Sequence, residues 1–321
     1  MKTKSILYTL SLFLLLGITA CSKQDDLKPS NEKALIESPD GVESNNQVYS
    51  SIIPEKELIQ ASHQLYNDKY QSSKKLKYDF ITHKSLTYIC AKKLGLSDDR
   101  AIIMRDASIM PDVYQVGIEN GYNQQWSHSF MLTKTVFGTS WVWGDADDDF
   151  HDNLDGDSGE IESPEGYNGK WAGYYYQNEK KDLGDWYVGY ACHFMEDIGF
   201  VLHTSFPNIA MLAHHFDFEI WMDNNWNEGH CFIDDANSVS PSDYHYIEKP
   251  KQAINQAAKA SNWYYSKYGK KAWEAYEASG YPTKAGTGNQ ELVDYTRNMI
   301  KETTKWTGGT IQYALNKYQQ W

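Results

Sequence analysis

The chain is short of cysteine, of basic residues and of long apolar runs, and each shortage narrows what it can be. Cysteine occurs four times in 321 residues, at Cys21, Cys90, Cys192 and Cys231. Leaving Cys21 aside, the other three cannot all pair, so at most one disulfide can form even where the compartment permits it. Cys90 and Cys192 sit in apolar helical patterns and read as buried thiols rather than ligands. Lys and Arg number 30 against 43 Asp and Glu, a formal charge of −13. Taking Lys2 and Lys4 from the 30 leaves 28 against 43, or −15, for the chain without its leader. So acidic a body is a poor non-specific binder of nucleic acid, whose affinity rests on Lys and Arg. It does not exclude a nuclease, because bound metal ions can supply positive charge locally. The one pronounced apolar run, Ile6–Leu16, is too short to span a bilayer as a helix. No run alternates with the period of a strand, and no internal repeat is present. Aromatics, by contrast, are plentiful: 24 Tyr and 11 Trp fit a buried core or a sugar- or lipid-facing surface, and composition alone does not choose.

The organisation is legible from the start of the chain. Lys2 and Lys4 before Ile6–Leu16 read as a secretory leader over residues 1–20. Leu16-Gly-Ile-Thr-Ala-Cys21 resembles a bacterial lipobox, in which Cys21 becomes the lipidated first residue of the mature protein, so that acyl chains rather than a spanning helix hold it to a membrane. Ser22-Lys-Gln-Asp-Asp26 resembles the surface-export signal of Bacteroidota lipoproteins. The expected location is therefore the outer membrane, surface-exposed, with a periplasm-facing arrangement as the alternative. Residues 21–52 are polar, with Pro29, Pro39 and Gly41, and read as a flexible tether. Residues 53–321 form the expected domain.

Within that domain the pattern is helical. Glu55–Asn67 and Lys74–Leu94 carry helical periodicity, the second ended by Gly95. Asp98 or Asp99 is placed to cap Arg100–Met110, which Pro111 interrupts. Residues 144–160 (GDADDDFHDNLDGDSGE) read as an acidic loop. An EF-hand there would need Gly sixth and Glu twelfth, but a loop begun at Asp145 has Phe150 and Gly156 in those places. Helices follow over roughly Asn168–His203, broken near Gly184, and Ile209–Trp226. Gln252–Ala278 is another, with Ala253, Ala257, Ala260 and Tyr264 on one stripe. Gly280–Gly288 is a turn-rich break, and Glu291–Trp321 is a helix pair or one long helix bent at Gly308-Gly309. The fold expected is all-α, a multi-helix bundle.

Chemistry concentrates in Tyr187–Trp221. His193 and Asp197 stand four apart, His203 follows six later, and His215 and Glu219 again stand four apart. Residues four apart share a helix face, so each pair can present two donors to one metal ion. The six-residue step turns His203 to another face, which suggests at least two centres on neighbouring helices. A single such pair can equally be a hydrogen-bonded core pair. Mixed His and carboxylate donors suit catalytic zinc better than a closed cysteine site.

The series His83, Asp112, His128, His193-x3-Asp197, His203, His215-x3-Glu219 resembles the bacterial zinc-dependent phospholipase C family, whose fold is shared with S1/P1 nucleases. The resemblance covers about residues 75–321 and extends to Trp306-Thr-Gly-Gly-Thr-Ile-Gln-Tyr313. It implies a helical bundle holding two to three zinc ions. Asp112, His128, His193 and Asp197 would hold the first, Asp197 would bridge to a second that His83 also binds, and His203, His215 and Glu219 would hold the third. Asp112 is a candidate general base as well as a ligand. Two departures stand out. The family's mature chain begins with a Trp that completes the second site, whereas here Cys21 lies ~60 residues before His83; Asp79, one turn before His83, and His63 are the candidates to replace it, unless the site is weak or empty. The family's proline near the third-site His is also missing, since Ile198-Gly-Phe-Val-Leu202 fills that place. His151, His214, His230 and His245 lack ligand spacing and are set aside.

The function this implies is a zinc-dependent phosphodiesterase acting on phospholipid. A nuclease or 3′-nucleotidase on the same fold is the alternative enzyme, and a non-catalytic metal-binding surface lipoprotein is the alternative outside enzymes. Nucleic acid is not an expected partner.

Overall fold

A computed structural model describes residues 81–111, 131–134, 140–143, 146–156, 171–200, 203–204 and 214–319. The leader, Cys21, the tether, His63, Asp79, Asp112 and His128 lie outside the described residues. Helix α1, Ile81–Lys93, ends with Lys92 and Lys93 in its last turn, where cations meet the negative end of the helix dipole. Gly95, at φ 84°, closes it as anticipated: Gly95 N bonds to Lys92 O and Leu96 N to Ala91 O, satisfying two terminal carbonyls. Helix α2, Asp98–Ala107, is capped by Ser97, whose side chain accepts from Arg100 N; Asp98 and Asp99 sit in its first turn instead of capping it.

Four-residue strands β1 (Met131–Lys134) and β2 (Ser140–Trp143) pair antiparallel, Met131 opposite Trp143. At that length alternation is too brief to stand out in a sequence. The acidic stretch after them is helical where a loop was expected: α3 covers Ala146–Leu154. Ala146, Phe150 and Leu154, one turn apart each, are fully buried and give the segment an apolar face. Its acids have partners: Asp148 bonds Lys251, His151 pairs with Asp152, and Asp155 accepts from Tyr313, Tyr318 and Lys317.

Helix α4, Ala172–Gln177, and α5, Lys181–Gly199, are separated at residues 178–180, where Glu179 takes φ 61°. The break thus precedes Gly184. That glycine serves close packing instead, because a Cβ there would fall 2.4 Å from the Tyr176 ring. Helices α6 (His215–Asn224), α7 (Phe232–Ser238) and α8 (Pro250–Tyr264) follow. A π-helical turn, Tyr265–Gly269, joins α8 to α9, Lys270–Ala278. The last helix, α10, runs unbroken from Gln290 to Tyr318, capped by Asn289. Gly308 and Gly309 lie inside this one helix and let residues 244–245 approach, since a Cβ on Gly309 would lie 2.2 Å from His245 O.

Helix α5 is the centre, packed against α2, α3, α4, α8 and α10. Most of the aromatic residues described are core. Trp186, Tyr187 and Phe150 belong to one cluster, and Trp221, Trp226, Phe232 and Tyr276 to a second. No helix among the described residues is long and apolar enough to cross a membrane. Asp185, fully buried on α5, is held bidentately by Arg100 of α2 at 2.7 and 2.6 Å and accepts from Tyr176 at 2.6 Å.

Removing one partner of such a pair strands the other, so Arg100→Ala should cost about 3–5 kcal/mol of stability. In urea unfolding the midpoint should fall with an unchanged slope. A pH effect is expected at Glu302. Burial raises its carboxyl, but the hydrogen bond and charge of His245, together with Lys305, outweigh burial and leave it below its ordinary 4.5. A carboxyl depressed in the fold stabilises above its unfolded pKa, and the contribution is lost as pH falls through the folded one. The stability difference between wild type and Glu302→Gln should be present at pH 7 and shrink below pH 4.5, read by denaturant unfolding across that range.

Candidate metal centre

Helix α5 is apolar on nearly every side, and such a helix is stabilised by burial all round. From Leu183 to Gly199 every residue but Tyr190 is buried. Besides Asp185, three ionisable side chains near its C-terminal end ride into the core with it: His193 and Glu196 at 0% exposure and Asp197 at 4%. Burial on that scale costs several kcal/mol per ion unless charge and hydrogen bonds compensate.

The compensation is local. His193 Nε2 lies 3.2 Å from Asp197 Oδ2, and His83, from the first turn of α1, brings its Nε2 to 3.4 Å from Asp197 Oδ1. The two imidazoles stack with centroids 4.4 Å apart. One donor atom from each of His83, His193 and Asp197 lies within 4.8 Å of the others, a cluster that could hold a metal ion.

The hydrogen bonds on the far side of each ring decide what this arrangement wants. His193 Nδ1 is 2.8 Å from the Ser108 carbonyl, and His83 Nδ1 is 2.7 Å from Glu196 Oε2. A carbonyl only accepts, so His193 carries its hydrogen on Nδ1 and, as a neutral ring, turns a lone pair toward Asp197. Glu196, accepting from His83, sets the same tautomer there. With neither Nε2 protonated, two lone pairs would face carboxylate oxygens, and a cation between them would convert that repulsion to attraction. Charging both rings instead would stack two imidazolium ions 4.4 Å apart. The two His–Asp separations, 3.2 and 3.4 Å, are close to the about 3.3–3.4 Å at which a tetrahedral zinc ion with bonds of about 2.0–2.1 Å holds its donors. Metal-bound histidines commonly donate their other N–H to a carboxylate or a carbonyl, the two acceptors found here.

No protein-family model matches the sequence, and no curated protein does. Among solved structures the chain is similar to alpha-toxin of Clostridium perfringens, isolated from an avian strain, at 14% identity and a TM-score of 0.40. That match covers 76% of this chain and 66% of the toxin chain, just under two thirds of it.

His203 stands closer to the first pair than a continued helix would allow. Helix α5 stops at Gly199, Phe200 caps it in extended conformation, and His203 N bonds back to Phe200 O at 3.0 Å. The ring thereby comes to 3.9 Å from Asp197 Oδ1 and 3.5 Å from Glu219 Oε1 of α6. The two Asp197 oxygens therefore serve different histidines, Oδ2 toward His193 and Oδ1 toward His83 and His203. From that disposition one carboxylate can bridge two ions. His215 opens α6, but its side chain lies outside the described residues.

Two residues that sequence reasoning missed hold this set in place. Glu196 accepts from His83 and, through Oε1, from Thr87 at 2.8 Å and Thr307 at 3.4 Å. Burial pushes its carboxyl up, and the hydrogen bonds of His83 and Thr87 oppose that shift. Its signal in the sequence was a second acid beside Asp197 in an otherwise apolar helix. Asp223 of α6 accepts at Oδ1 from Thr82 N at 3.2 Å and Thr82 Oγ1 at 2.6 Å, anchoring the start of α1 immediately before His83. It extends the four-residue series His215, Glu219, Asp223, which was read only as far as Glu219.

The histidines set aside are engaged elsewhere. His214 bonds Asp217 and stacks on Tyr281, His230 bonds Thr287 O, and His245 bonds Glu302. Cys90, Cys192 and Cys231 are all free thiols. Burial pushes the Cys90 thiol up to about 12 and that of Cys192 well above its ordinary value, so neither offers a thiolate.

Because Glu196 and Asp223 hold His83 and the start of α1 in place, Glu196→Gln and Asp223→Ala should each weaken metal binding about 10–100-fold. Equilibrium dialysis against a competing chelator measures this, with circular dichroism to show that both variants are folded. Unchanged affinity would mean that the rings are held by other contacts.

Proposed function

We propose that this chain is a zinc-dependent phosphodiesterase of phospholipase C type, acting on phospholipid at a membrane to which acyl chains on Cys21 tether it. The observation that carries the proposal is the pair of Nδ1-bonded histidines turning Nε2 toward the two oxygens of Asp197. The sequence series from His83 to Glu219 supports it.

In this reading His193 and Asp197 hold one ion with Asp112 and His128. His83 shares Asp197 at a second, and His203, Glu219 and His215 serve a third. Bound zinc supplies positive charge opposite the anionic phosphoryl oxygens and lowers the pKa of a bound water toward ~7. The protein's own contribution is orientation. Glu196 and Ser108 O fix the two imidazole tautomers before any ion arrives, so donor lone pairs need no reorganisation on binding. Burial of His193 and Asp197 keeps bulk water from competing for those donors. Asp112 is assigned as a ligand that can also take the proton of the attacking water.

Asp197→Asn keeps the volume and removes the charge. Hydrolysis of a chromogenic phosphocholine ester should fall by about 100–1,000-fold, the scale on which removal of a single transition-state-stabilising group acts. Zinc content, measured by atomic absorption, should fall with it. Retained turnover, or turnover on nucleotide esters alone, would reject the assignment.

A further inference from the structure

An acid-free strip runs through this acidic protein. Lys249–Trp273 contains six lysines and no Asp or Glu, in a chain of formal charge −13. All six (Lys249, Lys251, Lys259, Lys267, Lys270 and Lys271) are exposed, Lys251 turned to Asp148. The strip also breaks the pattern of buried aromatics. Trp263 is 53% exposed and Tyr268 47%, within one turn of each other.

The helix geometry gathers these groups. Lys259, Trp263, Lys267 and Lys271 follow at four-residue steps along α8, the π-turn and α9, and so share one side. The wider π-turn brings Tyr268 beside Trp263, their rings edge to face at 6.3 Å. Lys267 Nζ lies over both, 4.6 Å from the Trp263 ring centre and 5.0 Å from that of Tyr268. The strip also adjoins the metal centre. Ser261 Oγ donates to Gly199 O at 3.3 Å, and Asn262 Nδ2 donates to Thr204 O at 3.1 Å. Those two acceptors flank His203, and the next residue along α8 is Trp263.

We propose that this strip docks the protein on an anionic phospholipid bilayer and seats the metal centre beside it. Trp and Tyr favour the boundary between head groups and acyl chains, and lysines around them are drawn to anionic head groups. Single-stranded nucleic acid fits less well. It needs open aromatic faces for base stacking, and here the Lys267 ammonium lies over the rings. The proposal deepens the phosphodiesterase reading by naming the surface that meets the substrate, but its binding test does not depend on hydrolysis.

The test uses the full chain with Cys21→Ser, so that no acyl chain contributes, and vesicles of phosphatidylcholine with or without phosphatidylglycerol. Chelator is present to suppress turnover. Binding should tighten with phosphatidylglycerol and weaken with salt. The variant Lys259→Glu/Lys267→Glu/Lys271→Glu should lose roughly fivefold per lysine, on the order of a hundredfold together. Brominated lipid should quench tryptophan emission in wild type and quench it less in Trp263→Phe. If the triple variant does not fold, that quenching difference decides alone. Equal binding by wild type and variant, indifference to phosphatidylglycerol, or tighter binding of a single-stranded oligonucleotide than of vesicles would overturn the proposal. Docking without hydrolysis of any ester after zinc is restored would keep the surface and remove the phosphodiesterase. Hydrolysis of a soluble ester without vesicle binding would do the reverse.

Discussion

The structure depends on how helix α5 carries carboxylates into a protein core. Asp185, Glu196 and Asp197 all lie on this helix at or near zero exposure. An uncompensated carboxylate in such surroundings would cost more than the net stability of most domains. Each is met differently. Asp185 has a guanidinium in bidentate contact, a permanent charge from α2. Glu196 has His83 and two threonine hydroxyls. Asp197 is ringed by His83, His193 and His203, and two of those rings have already committed their other nitrogen. The first arrangement is complete as it stands and holds α2 to α5. The third gathers histidine and carboxylate donors in a cluster that could hold a metal ion, which sets it apart from the structural pair on the same helix.

The orientation of the donors is distributed over three helices. Helix α5 supplies His193 and Asp197, α1 supplies His83, and α6 supplies Glu219. What fixes α1 against α6 is Asp223, one turn beyond Glu219, bonded to the amide and hydroxyl of Thr82. What fixes His83 against α5 is Glu196. The residues around the donors are therefore as determinate as the donors themselves. A loss at Asp223 would shift His83 through Thr82.

Much of this was legible in the sequence, and the exceptions have physical causes. Four-residue spacing announced His193 with Asp197, because an i, i+4 pair on an apolar helix is a local feature. The helix end marked by Gly95 was local too. His203 stands apart from the first cluster and nearer Glu219, as its six-residue step suggests, although α5 ends at Gly199 and a turn rather than a continued helix carries it there. Helix α3 reads as a loop from its acids and glycines, because the burial of Ala146, Phe150 and Leu154 depends on partners elsewhere in the chain. Glu196 and Asp223 escaped because their roles are tertiary: a carboxylate that bonds a histidine 113 positions earlier leaves no mark in its own neighbourhood. Gly308-Gly309 looked like a hinge, whereas the reason for them is the backbone at His245, again a distant contact.

Charge shows the same limit of averaged quantities. A balance of −13 argues against binding to polyanions only if the charge is evenly spread. Screening confines each surface charge to roughly 10 Å at moderate salt, so a partner responds to the face it meets and not to the total. Lys249–Trp273 presents lysines without an acid among them, while α3 and the acids outside that stretch carry the opposite sign. The two patterns are compatible in one molecule that must approach an anionic surface on one side and remain soluble on the others. The composition that excludes a general nucleic-acid binder thus leaves room for an oriented encounter with a membrane, and the helix that carries those lysines bonds the backbone around His203 from its other side, through Ser261 and Asn262.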